Sequence, residues 1–385
     1  MDFSYSEEQR ALRELARRLF SERFTDDFRK SFARSELPFD SVLWAALAEA
    51  GVLGTAIEVA HGGSGLGLTE LALVLEEQGR TLAAVPVFAT LVLGALPLQR
   101  FGSEAQRQLL RGVTSGEVLI TGALEELGNA ALLEPTTLAE PIAGGWRLSG
   151  AKTCVPYALQ AQYLIVSART PVQSARLFLI ERQSPGLEVR TQQATSAEPQ
   201  GEVILRGVLA GEGDAVGEDE RSLRYMLEHA QVALAALQLG VVEEALRRAA
   251  AYVSERQQFG RPIGSFQAVQ HRLADSYIDV EALRSTYLRA VWALDQKRSA
   301  SAEVLAAKWW AAQAGHRVSH AVQHVHGGLG ADVEYPVQAY FLQAKQLEVT
   351  LGGAGPVLAD IGRALAAGAV RSFTGARSVN APDQL

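Results

Sequence analysis

In SERQQFGRPIGSFQAVQHRLAD, Ser254 to Asp275, a helical alanine and leucine period breaks at an arginine, a phenylalanine and the turn Gly260-Arg-Pro-Ile-Gly264, then resumes after a run of glutamines. Gly260 and Gly264 let the backbone reverse sharply. Upstream, YMLEHAQVALAALQLGVVEEALRRAAAYVSERQQ predicts one long helix beginning after Asp219. Downstream, helical periods around 265–297, 300–325, 336–350 and 356–368 complete the pattern of a four-helix bundle. The tail RSFTGARSVNAPDQL reads as frayed.

Working back from that stretch, the apolar period changes. From about Val118 to Glu218 short runs such as WRLSGAK, AQYLIVSAR, ARLFLIER, GLEVRTQ and EVILRGVLAG, bounded by Gly, Pro, Ser or Gln, predict an antiparallel barrel or sandwich. From Phe3 to about Glu117 the period is helical again, with EEQRALRELARRLF, SVLWAALAEAGVLG and GLTELALVLEEQGRTLA each presenting one apolar face. The expected organisation is mostly α with a central β domain: a helical domain over 1–117, a β domain over 118–218 and a helical bundle over 219–385.

Composition narrows the function. The 385 residues are 48% hydrophobic, enough for more than one core. A net charge of −7 with both signs interspersed favours neither a nucleic-acid backbone nor an anionic membrane. Cys154 is the sole cysteine, which excludes an internal disulfide and a thiolate metal cluster. The N-terminus reads as an amphipathic helix rather than an export signal, so the expected location is cytoplasmic. The apolar run VPVFATLVLGALPLQ is too short to span a bilayer.

The order of the three parts, together with GVLGTAIEVAHGGSGLGLTELALVLEEQGR, ERQQFGRPIGSFQAVQHRLAD and VQHVHGGLGADVEYPVQAYF, resembles the flavin-dependent acyl-CoA dehydrogenase family over nearly the whole chain. The resemblance implies FAD as cofactor and an acyl-CoA as substrate. It also implies that Arg256, Gln258 and Phe259 belong to an Arg-x-x-Phe-Gly segment that grips the adenosine pyrophosphate of an FAD held chiefly by a neighbouring subunit. A guanidinium can fork two bonds onto phosphate oxygens, and a flat ring can cover the dinucleotide's apolar surface. By spacing alone, Arg256 equally reads as a solvated cation at a helix end and Phe259 as a core plug. Gly327 and Gly328 match the family's Gln-x-x-Gly-Gly loop, with His324 where glutamine is usual. His316, His320 and His324 share a helix face, yet no carboxylate completes a metal set at a matching step, so no metal is expected.

The chemistry departs from the family. Acyl-CoA dehydrogenation needs a carboxylate to take the proton α to the thioester while hydride leaves the β carbon for the flavin. In AKQLEVTLGGAG the resemblance puts Leu351 at the usual base position, and Ala230 at a second family position about eight turns before the Phe-Gly pair. Glu348, Glu228 and His229 lie nearby but are turned away by roughly 100° per residue. The flavin-ring strand is altered too: Leu124 stands at the family's threonine and Glu126 at its proline, and Cys154, Val155 and Pro156 replace Trp-Ile-Thr, where proline supplies neither hydroxyl nor amide hydrogen.

What the chain would lend to a neighbour is therefore kept, and what it would use itself is lost. This resembles the non-catalytic subunits of heterotetrameric acyl-CoA dehydrogenases of steroid side-chain degradation. It implies an α2β2 assembly with a base-containing subunit, and electron-transfer flavoprotein as acceptor. Two alternatives stay open: a self-sufficient homotetramer with its base moved to Glu348 or Glu228, and a flavin-free structural protein.

Overall fold

The computed structural model describes residues 3–171 and 175–368, and the tail read as frayed lies outside them. Ser6 caps α1 (Glu7–Arg23) through a box in which Ser6 and Gln9 each accept the other's backbone N–H. It is followed by α2 (Asp26–Ala33), α3 (Ser41–Glu49) and α4 (Leu68–Thr81). The run that is too short for a bilayer forms a π-helical stretch, Phe88–Ala95, continuing into α5 (Leu96–Phe101). Being apolar on all sides it is buried on all sides. Two short helices, α6 (Glu104–Arg107) and α7 (Leu109–Thr114), end this part.

Among the described residues eight strands follow: β1 (Ile120–Ala123), β2 (Leu138–Ile142), β3 (Gly145–Pro156), β4 (Tyr163–Ala168), β5 (Arg176–Glu181), β6 (Leu187–Gln192), β7 (Gln200–Gly211) and β8 (Ala215–Val216). They make two four-stranded sheets, ordered β1-β4-β5-β8 and β2-β3-β7-β6. Leu148, Val166, Phe178, Val203 and Leu205 belong to their common core. Against the antiparallel expectation, β1 pairs with β4 in parallel, Ile120 beside Tyr163. The connection between them runs through β2 and β3 of the other sheet, which gives the chain the length that a parallel return needs.

The long helix α8 spans Arg221–Glu255. A hairpin of β9 (Gln257–Gln258) and β10 (Arg261–Pro262) turns the chain into α9 (Gln267–Asp295), and α10 (Ser301–His326), α11 (Pro336–Val349) and α12 (Ala354–Ala366) complete the C-terminal part. α8 packs on α4 and α10, so it is the common wall of both helical parts. Two close approaches make this possible: a Cβ at Gly79 would lie 2.2 Å from the carbonyl of Leu237, and one at Gly240 would lie 2.0 Å from that of Glu76. Charge spans the same seam through Arg80 of α4 on Glu243 of α8, and Arg13 of α1 joins the network on Glu76 and Glu77. Among the described residues no helix is long and apolar enough to cross a membrane.

Candidate functional site

The helix α8 stops where its geometry changes. Arg256 has extended backbone (φ −65°, ψ 119°) while its N–H still bonds the carbonyl of Tyr252 at 2.9 Å. The next six residues form a two-residue hairpin with Gln258 opposite Arg261. Phe259 and Gly260 at its tip both have positive φ, 53° and 78°, as a type I′ turn requires. A phenylalanine held there is 92% exposed, so the core-plug reading of Phe259 is wrong and the ring is presented to the outside. Phe266 meets it edge-on at 6.1 Å and stacks under the Arg261 guanidinium at 4.1 Å, which stiffens the tip. Arg256 and Gln258 are exposed, and Arg256 has no ion-pair partner among the described residues.

The glycine loop is brought to the same corner. Tyr252, one turn before Arg256, stacks at 4.3 Å on His326, which directly precedes Gly327. His326 is buried, and burial pushes its pKa down, so the ring packs as a neutral aromatic. Gly327 has φ 60°, and at both Gly327 and Gly328 a Cβ would meet nothing within 4 Å: their backbone faces open space. His324 is exposed on the last turn of α10. His316 and His320 stack at 4.3 Å further back, His316 Nδ1 lying 3.1 Å from Lys345 Nζ. Among the described residues no group of three His, Cys, Asp or Glu is placed to hold a metal.

Four of the altered positions also converge, Glu126 and Val155 not being among them. Leu124, Cys154, Pro156 and Leu351 line one cavity with Phe88, Leu93, Gly122, Glu125, Thr153 and Thr350, and its volume is about 20 Å3. That is room for one water molecule, not for a tricyclic ring. Glu125 closes it: its Oε1 accepts the backbone N–H of Leu351 at 3.1 Å, joining the β sheet to the end of α11. Leu351 is 3% exposed with φ 51°, and Gln231 Nε2 donates to its carbonyl at 3.4 Å. Ala230 is buried within α8 and is not part of this cavity.

Burial raises the Glu125 carboxyl to about 7, against the Leu351 N–H and the Lys308 charge that pull it down. Lys308 is itself buried, which lowers its pKa to about 8, and its Nζ donates to the carbonyls of Leu347 (3.1 Å) and Glu348 (3.3 Å), capping α11. Glu126 turns inward instead. It accepts from Lys152 Nζ (2.8 Å), from the N–H and hydroxyl groups of Thr136 and Thr137 (2.6–2.8 Å), and from Asn129 (3.1 Å). Burial alone would raise it, but Lys152 and these donors hold it well below the usual carboxylate range. It is a fastener for the loop after β1. The lysine was the legible clue, since a charged residue at an inward position of a strand needs a buried partner.

Among the displaced-base alternatives, Glu348 pairs with Lys345 at 2.6 Å and with His316 at 3.4 Å, and Glu228 accepts from Ser301 Oγ at 2.5 Å. His229 stacks on Tyr225 at 3.8 Å and is pushed down to about 4 by burial. None of the three lines the 20 Å3 cavity.

Residues 6–117 match the acyl-CoA dehydrogenase N-terminal domain and residues 221–366 the acyl-CoA dehydrogenase C-terminal domain. The chain belongs to the acyl-CoA dehydrogenase family. It is similar to acyl-CoA dehydrogenase FadE27 of Mycobacterium tuberculosis, 39% identical with 95% of this chain and 99% of that one covered. Among solved structures it resembles a chain of a variant of the Tcur3481-Tcur3483 steroid acyl-CoA dehydrogenase (44% identity, TM-score 0.90, covering 94% and 99%) and one of the ChsE4-ChsE5 complex from Mycobacterium tuberculosis (39%, 0.90, covering 95% and 99%). Acyl-CoA dehydrogenases are oxidoreductases acting on CH–CH bonds, and FAD is the family's cofactor; a 25% identical neighbour, PigA, was solved with FAD and proline (TM-score 0.87, covering 95% and 99%). In this acyl-CoA dehydrogenase chain the exposed hairpin and glycine loop suit an extended phosphate-bearing ligand, and the filled cleft does not suit its ring system.

Proposed function

We propose that this chain is the accessory half of a heteromeric acyl-CoA dehydrogenase, without a catalytic base of its own, that clasps the adenosine and pyrophosphate of an FAD seated in a partner subunit. One observation carries the reading: the cleft where a resident flavin ring would lie has about 20 Å3 left and is bolted by Glu125, while the hairpin 257–262 stands outward and Arg256 at its base has no ion-pair partner among the described residues. Arg256 would bind a phosphate oxygen pair, Gln258 would donate to a neighbouring oxygen, Phe259 would cover apolar ligand surface, and the amides near Gly327 and Gly328 would approach without steric hindrance. The bound FAD supplies hydride acceptance, and the base comes from the partner. The relatives described as a steroid dehydrogenase and as a two-component complex support a steroid thioester as substrate and a heteromeric assembly; an α2β2 arrangement and electron-transfer flavoprotein as acceptor are proposed on the family resemblance alone. On this reading the chain divides into an N-terminal helical domain over 1–117, a β domain over 118–218 and a C-terminal helical bundle over 219–385.

The test is a visible spectrum. Purified alone the chain should be colourless; co-purified with a base-containing acyl-CoA dehydrogenase partner, the assembly should be yellow and active. Arg256→Ala should weaken FAD retention by about 1.5–3 kcal/mol, the worth of a hydrogen bond to a charged group. A yellow, active lone chain would sink the proposal, and so would an R256A assembly with unchanged FAD affinity.

A further inference from the structure

A second cavity, sharing no lining residue with the filled cleft, opens where all three parts of the chain meet. It measures about 400 Å3, within the range of small-molecule sites. Phe24, Leu82, Tyr157, Leu237 and Leu342 give it an apolar body. Tyr157 is 2% exposed, has φ 52° and is wedged edge-on against Phe39 at 6.3 Å, so this wall is rigid.

Charge in the wall is lopsided. Among the described residues Arg29 has Asp26 alone as an ion-pair partner, at 3.8 Å, with the guanidinium side chain 14% exposed. Asp26 is already engaged at 2.7 Å by Arg248. Burial pulls the Arg29 pKa down, the mark of a guanidinium short of compensation. Lys30 also lines the cavity and has no ion-pair partner among the described residues. Arg34 and Glu334 bond each other and cancel. Glu198, on the loop between β6 and β7, has no partner for its carboxyl among the described residues, and burial raises it to about 7, so it adds little negative charge below neutrality.

We propose that this junction cavity binds an amphipathic organic monoanion, its ring or chain lying against Phe24, Tyr157, Leu237 and Leu342 and its carboxylate or sulfonate on Arg29. The accessory role above is not needed for this: the cavity lies in one chain, and its ligand neither carries nor receives electrons. The anion replaces the compensation that Asp26 gives to Arg248, and the apolar body displaces water from a surface that holds it weakly.

The probe is 8-anilinonaphthalene-1-sulfonate, titrated by fluorescence into the full-length chain in the assembly in which it purifies, beside its uncharged analogue N-phenyl-1-naphthylamine. One saturable sulfonate site is expected. Arg29→Gln should weaken it about tenfold, the loss of a charge-assisted contact, and leave the neutral analogue unchanged. Ala339→Trp and Ala197→Trp, which fill the cavity from α11 and from the exposed loop, should abolish both; the loop variant serves if the helix variant misfolds. Equal sulfonate affinity in wild type and R29Q would overturn the proposal, as would binding that survives the filling variants. Sulfonate binding to the free chain that vanishes on assembly would assign the cavity to a subunit contact and overturn it as well.

Discussion

Glu125 and Glu126 are neighbours on the chain and opposites in chemistry. Glu126 has Lys152 and five further donor groups, and is held ionised. Glu125 has one backbone N–H and a distant buried lysine, and is raised from the ordinary 4.5 to about 7. Between those two values the folded chain keeps a proton on Glu125 that the unfolded chain has released. Stability therefore falls as pH rises from about 4.5 through about 7, and the deficit is complete above that. Glu125→Gln keeps an oxygen for the Leu351 N–H and removes the charge. Urea unfolding should give matching midpoints for wild type and E125Q near pH 4, and a variant more stable by about 1–3 kcal/mol at pH 8. Coincident curves at pH 8 would mean that Glu125 is solvated rather than walled in by Leu351 and Lys308.

At the scale of elements, the hairpin 257–262 separates shape from stability. Phe259 adopts a left-handed φ that costs a bulky L residue about 1–2 kcal/mol, and it gains little burial in return. Phe259→Gly should leave the melting temperature unchanged or slightly higher while weakening FAD retention by the assembly; a variant that melts earlier and holds FAD normally would make the ring structural. Helices were legible because their periods were: the expected segments around 265–297 and 300–325 appear as Gln267–Asp295 and Ser301–His326. The buried π stretch Phe88–Ala95 was not, since an all-apolar run carries no period to read. Nor was the parallel β1–β4 pair, because alternation in a strand says which face is buried and nothing about its neighbour. The positions Leu124, Cys154, Pro156 and Leu351 were named from their motifs, but that Glu125 bolts them together depends on a contact across 226 residues.

For the whole molecule, the two corners make a quantitative claim about flavin count. α8 leads at its C-terminal end into the exposed arm, and Gln231 on the same helix holds the carbonyl of Leu351, which lines the closed cleft, so one helix bears on both in every copy. A homotetramer in which each cleft held its own flavin would bind one FAD per chain. In an assembly of equal numbers of this chain and a partner with an open cleft, every arm here has one flavin to clasp and every cleft here has none, giving one FAD per two chains. Flavin released by denaturation and measured by absorbance, against chain concentration from amino-acid analysis, should give a ratio of about one half, set by counting open clefts. Leu351→Glu should not raise it, because a carboxylate placed in a 20 Å3 space beside Glu125 adds buried charge without making room for a ring. A ratio near one would require the Glu125–Leu351 contact to open in the assembly, and E125A would then raise FAD affinity rather than leave it unchanged.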